Sequence, residues 1–441
     1  NTHKEYIEIH KKCDELIEKG IATLFKKSDN SFVLSNALSY PYEGMKKIPK
    51  NFIGYSLITE NNEEISTQEI NSNAYCQVSL PPFSFTNFRK GKKQKPQIKK
   101  GSGFVLENEF VQYNFSKDGT LTSAVDKEIN KNLLSASGNV LSLYEDRPHN
   151  WDAWEIDFYY RDSLLETASI EKINKVQNGP VLSSLEIDYN IGNSSIKQII
   201  TLSNKSKRLD FDTLVNWHEK HKMLRVHFPT NIVSEQASFD IQYGYVKRNT
   251  HKNTSWDRAK FEVVGHKYAD LSDNDYGIAI LNDCKYGYSI FDKTVDLNLL
   301  RSPNNPDPDA DLGEHSFTYS FYPHEHDLIR SNVIEEATKL NHPPLLFDRV
   351  KNIESKSPIN FDGEGIEISA IKKSEENNEI IIRAVETLGK MSKGKIYFNG
   401  KITETNLMER RNLKPALRVK NSSTLTLKPF EIKTYKCALS K

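Results

Sequence analysis

Residues 144–157 (YEDRPHNWDAWEID) pack aromatic rings, carboxylates, an arginine and an amide into fourteen positions. That mixture suits sugar recognition, because indole faces cover apolar C–H patches while Asp, Arg and Asn pair with hydroxyls. Glycoside hydrolysis would also need two carboxyls, about 5 Å apart for retention or about 6.5–9.5 Å apart for inversion. Asp152, Glu155 and Asp157 are the residues of this segment that could supply such a pair. Residue types alone equally allow Trp151 and Trp154 to be core side chains with a charged rim.

Other clusters carry weaker chemistry. His218-Glu219-Lys220-His221 lacks the i,i+4 spacing that sets two histidines on one helix face in H-E-x-x-H zinc proteases. His324 and His326 would share a strand face, but a catalytic zinc takes three protein ligands and no third is evident, so they read as surface histidines. Asp307, Asp309 and Asp311 imitate the start of a calcium loop. Leu312 stands where that loop needs glycine, and Thr318 where it needs a bidentate glutamate. A rigid Pro-Asp turn, able to point a carboxylate into a cleft, is the plainer reading.

The elements that must hold these residues are mostly strands. Residues 3–26 read as one amphipathic helix, with Tyr6, Ile9, Cys13, Leu16, Ile17 and Leu24 at three-to-four spacing. A lone helix cannot bury that stripe, so it reads as the last helix of a bundle. Beyond it the period becomes two. Residues 32–38, 77–85 and 110–115 read as short strands, and Leu209, Phe211, Thr213, Val215 and Trp217 alternate with polar neighbours as a strand with one face in a core. Residues 276–281, 286–291 and 295–301 read as three consecutive antiparallel strands. The basic stretch 89–100 (RKGKKQKPQIKK) lacks periodicity and reads as an exposed linker, and Pro343-Pro344 marks a second boundary. Residues 365–371, 380–385 and 424–435 read as strands again.

The expected fold is therefore mainly β, preceded by one bundle helix. Its expected divisions are 1–27 for the helix, 28–100 for a small β domain and linker, 101–345 for a large β body and 346–441 for a C-terminal small β domain.

Composition narrows the partners. Sixty Lys+Arg against fifty-nine Asp+Glu leave a formal charge of +1, so no global field favours nucleic acid or an anionic membrane. No apolar run approaches the roughly 20 residues that span a bilayer. Cys13, Cys76, Cys284 and Cys437 are scattered singly, which reads as reduced, buried thiols and favours the cytoplasm. The chain opens on Asn1 without a leader-like apolar stretch, and is expected to lack an upstream part.

The segment YEDRPHNWDAWEID, then FDTLVNWHEKHKMLRVHFPTNI, IQYGYVKRNTHKNTSWDRAKFEVVGHKYADLS, YGIAILNDCKYGY, LLRSPNNPDPDADLGEHSFTYSFYPH and KPFEIKT, in that order, resemble glycoside hydrolase family 38 α-mannosidases. The cytosolic and vacuolar branch, with its bacterial members, is the best match. Tyr268 and Asn249 depart from it, standing where many members have Trp and Pro.

The resemblance implies tandem β-sandwich domains, a large super-sandwich (101–345) with smaller β domains, and retaining, zinc-dependent removal of terminal α-D-mannose from oligosaccharides. It also implies that the zinc ligands and catalytic carboxylates lie in a front barrel-like domain upstream, missing here. No catalytic residue, metal ligand or cofactor is expected in this chain, which alone should be inactive. Trp151, Asp152 and Trp154 become candidate substrate contacts on a loop at the mouth of that domain's pocket. Arg301 resembles a rear-domain arginine that meets either the substrate or a neighbouring domain, with Asp309 on the loop beyond it. The expected partners are mannose-containing oligosaccharides and the missing N-terminal catalytic domain, with no nucleic acid and no membrane, and homo-oligomerisation is left open. The competing reading is a free-standing carbohydrate-binding or structural β-sandwich module.

Overall fold

The computed structural model describes residues 2–95, 98–101, 103–174, 176–352 and 359–440. Among them the α-helices are Thr2–Leu24, Ser255–Ala259 and Val333–Asn341, and the rest of the regular structure is almost all strand. The chain is mainly β, as expected, with several packed sheets. Helix Thr2–Leu24 leaves Tyr6, Ile7, Ile9, Leu16 and Ile17 exposed and passes directly into strand Phe25–Asn36. No described helix is long and apolar enough to cross a membrane.

A first pair of sheets packs around Phe32, which stacks on Phe88 at 5.2 Å and meets Phe52 edge-on at 4.9 Å. The strand expected at 77–85 is two strands, Asn73–Leu80 and Ser84–Lys93, in different sheets. Pro81-Pro82 removes two ladder donors in a row, so the chain leaves one sheet and enters the other there. The expected basic linker is also partly strand. Residues up to Lys93 stay in the ladder between Phe25–Asn36 and Tyr55–Thr59, and Lys99–Lys100 pairs with Gln177–Asn178. Residues 96 and 97 of that stretch lie outside the described residues. Strand Leu345–Asn352, expected to belong with the C-terminal unit, instead pairs antiparallel with Phe25–Asn36.

The large sandwich sets an eleven-stranded sheet against a six-stranded one. Strand Leu209–Trp217 alternates as read: Leu209, Phe211, Thr213, Val215 and Trp217 point inward. The three strands read between 276 and 301 do not form one meander. Tyr276–Asn282 lies in the larger sheet, whereas Gly287–Phe291 and Thr294–Arg301 pair in the smaller. Tyr276–Asn282 is buried along its whole length because helix Val333–Asn341 covers its outer side through Val333 and Ala337, packed near Ala279 and Leu281. Such a continuously buried strand gives no alternation to reveal which sheet it joins.

A closed ring of hydrogen bonds bridges the two layers inside the core. Asn139 Nδ2 donates to Gln198 Oε1 (2.9 Å), Gln198 Nε2 to the Tyr319 hydroxyl (2.7 Å), and that hydroxyl to Asn139 Oδ1 (2.6 Å). Each buried polar group thereby meets its partner without water.

The C-terminal unit is again two sheets around a common core. Its expected strand 424–435 is broken into Ser422–Leu427 and Ile432–Leu439 by a turn in which Pro429 precedes Phe430 at φ +55°. The cysteines divide: Cys76 and Cys437 are buried, as expected, but Cys13 and Cys284 are exposed. His324, expected at the surface, is buried against Asp270 (2.7 Å), a position that Gly277 opens by having no Cβ to strike the imidazole.

The outer face of Leu209–Trp217 forms the floor of a cleft between the units, and Asp212 sits there. Asp212 keeps exposed surface, but crowding by the surrounding cleft walls partly desolvates its carboxyl and, with Asp210 and Asp283 nearby and Thr318 and Arg208 only partly offsetting them, raises its pKa from 3.8 to about 6. The folded state thus holds this proton more tightly than the unfolded chain. The associated stability is present below about pH 4 and is lost as pH rises through about 6. Asp212→Asn is expected to raise the melting temperature at pH 7, leave it unchanged at pH 4 and flatten the profile between, as followed by calorimetry. A profile parallel to wild type would mean that Asp212 titrates normally.

Candidate functional site

Residues 145–157 form a loop between strand Val140–Glu145 and the short helix Phe158–Asp162. The loop is irregular because Trp151 takes φ +56°, a conformation costly for a bulky side chain unless the surroundings impose it. Arg301 is what imposes it. This residue ends strand Thr294–Arg301 and lies across Met223 from Tyr144, one strand away from the loop's root. Its Nε and Nη2 both donate to the Asp146 carboxylate, the second at 3.2 Å. Nη2 is shared further with the carbonyls of Asp152 (2.9 Å) and Glu155, and Nη1 donates to the carbonyl of Ala153 (3.3 Å). A guanidinium fork is suited to such a multi-point grip. Burial pushes the Asp146 carboxyl upward, and Arg301 opposes that push.

Asp152 adds a second clamp. Its carboxylate accepts the backbone N–H groups of Asn304 (2.6 Å) and Asn305 (3.0 Å) and lies 3.5 Å from His221 Nδ1. His221 N in turn donates to Ser302 O (2.8 Å), and Asp146 N to His221 O (2.8 Å). Three loops, 145–157, 218–222 and 302–309, are therefore tied into one surface. Asp157 performs a similar service, accepting His149 N and the Tyr159 hydroxyl, both at 2.8 Å. Of the carboxylates that might have formed a hydrolytic pair, Asp152 and Asp157 are thus engaged in holding backbone.

What the clamped loop presents is aromatic. Trp151 is 71% exposed and Trp154 72%, so neither is a core residue. The core alternative fails because Arg301 draws the loop's carbonyls inward, leaving the indoles on the water side. Asp309 lies on the exposed rim, 3.5 Å from Lys220, in a turn closed by Asp307 accepting Asp309 N (3.0 Å). The structure brings Trp151, Asp152, Trp154 and Arg301 into one assembly through direct contacts, and Asp309 lies on the adjoining loop.

Beneath the loop's far end is a cluster that sequence reasoning missed. Arg225, with no exposed surface, pairs with Asp296 (2.6 Å) and Glu262 (3.0 Å). Arg161 reaches the same two carboxylates at 3.4 Å, His227 Nδ1 lies 3.0 Å from Asp296, and the Tyr160 hydroxyl donates to Glu262 (2.5 Å). Burial alone would raise the Asp296 carboxyl, but Arg225, His227 and Arg161 outweigh it and hold it far below the usual carboxylate range. Glu262 is pushed the other way by burial. Polar residues alternating with Val295, Leu297 and Leu299 were the only trace of this cluster in the sequence.

Residues 106–309 match the glycosyl hydrolases family 38 C-terminal domain, and residues 365–435 match the family's C-terminal beta sandwich domain. The chain belongs to glycosyl hydrolase family 38. Alpha-mannosidase G of Dictyostelium discoideum is 34% identical to it over 439 residues, covering 92% of this chain and 39% of the relative. The alpha-mannosidase of Saccharomyces cerevisiae is 31% identical over 362 residues, covering 73% of this chain and 33% of the relative. This family 38 chain therefore spans well under half the length of these relatives. A solved α-mannosidase from Enterococcus faecalis has the same fold, with a TM-score of 0.74 over 96% of this chain and 58% of that one at 17% identity. All five candidate residues of this family 38 chain fall within the 106–309 match.

Removing Arg301 would strand the buried Asp146 carboxylate, and losing one member of a buried pair costs roughly 3 kcal/mol or more. Arg301→Ala is expected to lower stability by about that amount. Amide hydrogen exchange should speed up at 146–155 and 302–305 but not in strand Leu209–Trp217. Uniform acceleration would show that Arg301 supports the whole sandwich and not this loop in particular.

Proposed function

We propose that this chain is the rear part of a retaining α-mannosidase that removes terminal α-D-mannose from oligosaccharides, and that its 145–157 loop edges the sugar pocket. The observation that supports this most is the display of two exposed indoles on a loop gripped by Arg301, inside the family-matched segment. Indole faces stack on the C–H side of a pyranose, and a loop fixed in advance loses little freedom on binding. In this reading Asp152 and Arg301 are positioning residues, and Trp151 and Trp154 touch sugar.

Hydrolysis with retention requires a nucleophile and an acid/base about 5–5.5 Å apart. We place both, together with zinc, in the upstream domain of the longer protein. Among the described residues no group of three or more His, Cys, Asp or Glu side chains could hold a metal ion. In this reading the zinc and its chemistry would be supplied from outside these described residues. Scattered free cysteines support a cytoplasmic enzyme.

The 441-residue chain alone is expected to leave an aryl α-mannoside intact, while the protein extended to the length of its relatives hydrolyses it. In that longer protein Trp151→Ala should lower kcat/KM about tenfold, the value of one modest stacking contact of about 1.4 kcal/mol, with metal content unchanged. Turnover by the short chain would refute the reading. Saturable mannoside binding by the short chain that Trp151→Ala abolishes would favour the free-standing binding module instead.

A further inference from the structure

A pocket of about 420 Å³ opens between the edge of the eleven-stranded sheet, helix Val333–Asn341 and the C-terminal unit. It shares no lining residue with the tryptophan loop, and its size falls within the roughly 300–1,000 Å³ typical of ligand sites. Its walls are mostly apolar. Ile241, Ile334 and Val385 line it together with the rings of Tyr243, Tyr286 and His266, the last set edge-on to Tyr286 at 5.1 Å.

Two buried side chains in this lining each keep a polar atom unanswered. Asp240, 5% exposed, lies in strand Gln236–Ile241. One of its carboxylate oxygens accepts the Lys267 backbone N–H at 2.9 Å, and among the described residues the other accepts no hydrogen bond. Tyr268, 1% exposed, begins the neighbouring strand Tyr268–Ser272, and its hydroxyl likewise has no hydrogen-bond partner among the described residues. Neither atom is among the unpartnered polar atoms shut off from solvent. The surface that each retains therefore opens on the pocket that both residues line.

The charged groups of the lining are few enough to count in full. Its carboxylates are Asp240 and Glu367, and neither has an ion pair among the described residues. Its one lysine, Lys267, donates its ammonium to the Thr338 hydroxyl at 3.2 Å and forms an ion pair with neither carboxylate. With the His266 imidazole neutral, two negative charges thus face one positive charge. Burial pushes the Asp240 carboxyl upward and Glu367 adds to that push, against the opposing Lys267 and His266. The pocket is short of positive charge.

An anion would meet two carboxylates, and a neutral molecule would leave the excess negative charge uncompensated. Among the described residues the acids and histidine do not converge on a metal position. An ammonium group brings one positive charge and three N–H donors, for which Asp240, Glu367 and the Tyr268 hydroxyl are acceptors. A carbon body attached to it packs on the aliphatic and aromatic walls, whose ring faces also favour a cation. We propose that this pocket binds a small organic cation, a primary ammonium carried on a short apolar body. The proposal does not rest on the mannosidase reading, since it needs neither the upstream domain nor the 145–157 loop.

The test titrates the 441-residue chain by calorimetry at about pH 8, where imidazole is ordinarily neutral and alkylamines stay charged. The probes are 2-phenylethylamine and isopentylamine, each compared with the alcohol and the carboxylate of matching carbon body. At least one amine should bind saturably, about tenfold or more tighter than its alcohol. Asp240→Asn should weaken that binding about tenfold and Tyr268→Phe about threefold, while Lys267→Met, which removes the competing cation, should tighten it and Trp151→Ala should leave it unchanged. Tyr268→Phe deletes only an unpartnered hydroxyl and keeps the ring in place, and melting curves verify that each variant folds. Lack of saturable binding by both amines, equal or tighter binding of the matching alcohol or carboxylate, indifference to both Asp240→Asn and Tyr268→Phe, or weaker binding by Lys267→Met would each overturn the proposal. Hydrolysis by the longer protein is read separately, so either idea can fail without the other.

Discussion

A guanidinium with no contact with water has to be met by carboxylates, and Arg225 imposes that requirement on the outer face of the six-stranded sheet. Asp296 and Glu262 answer it, but two buried acids around one arginine leave charge to be shared. Arg161 adds a second cation, and His227 and Tyr160 lie within polar contact of Asp296 and Glu262 respectively. Two of these come from the short helix Phe158–Asp162, so the helix is pinned where the charges need it. The loop before that helix is consequently fixed at one end by the cluster and in the middle by Arg301. Presentation of Trp151 and Trp154 thus depends on the electrostatics beneath them, in which removing Arg225 would deprive both Asp296 and Glu262 of a buried cationic partner.

The contrast with the sandwich interior is instructive. There the polar groups of Asn139, Gln198 and Tyr319 close a neutral ring, each donor matched to an acceptor. A neutral ring fixes the register between two layers without desolvating charge. The charged cluster lies on the outer side of the smaller sheet, where it organises surface loops. One sandwich thus carries two kinds of polar organisation, a neutral one within its core and an ionic one under its candidate site.

Much of the architecture was legible in the sequence because half-buried strands advertise themselves. The alternation from Leu209 to Trp217 is borne out residue by residue, and helix Thr2–Leu24 lies where three-to-four spacing put it. What failed was sheet membership. Tyr276–Asn282 has no polar side to show which layer it serves, and Pro81-Pro82 and Pro429 each looked like interior punctuation where the chain in fact changes sheets. At the site, residue types marked out Trp151 and Asp152, and the family resemblance drew attention to Arg301. The grip itself was invisible, since the acceptors that Arg301 finds are mostly backbone carbonyls, which every residue has. Arg225 and Asp296 were hidden for a related reason: a charged residue on a strand's polar face reads as solvated, and only the packing of distant segments shows otherwise.

The pairing of Leu345–Asn352 with Phe25–Asn36 has a consequence for a chain emerging from the ribosome. By the time Lys93 is made, Phe25–Asn36 can join Ser84–Lys93, but its other side has no neighbour until about 250 more residues are translated. At roughly 5–20 residues per second that edge stays open for roughly ten to fifty seconds. An unpaired strand edge is a template for association with other chains. The nascent protein therefore spends this interval with that sheet incomplete, while the large sandwich is built between the two strands that will close it.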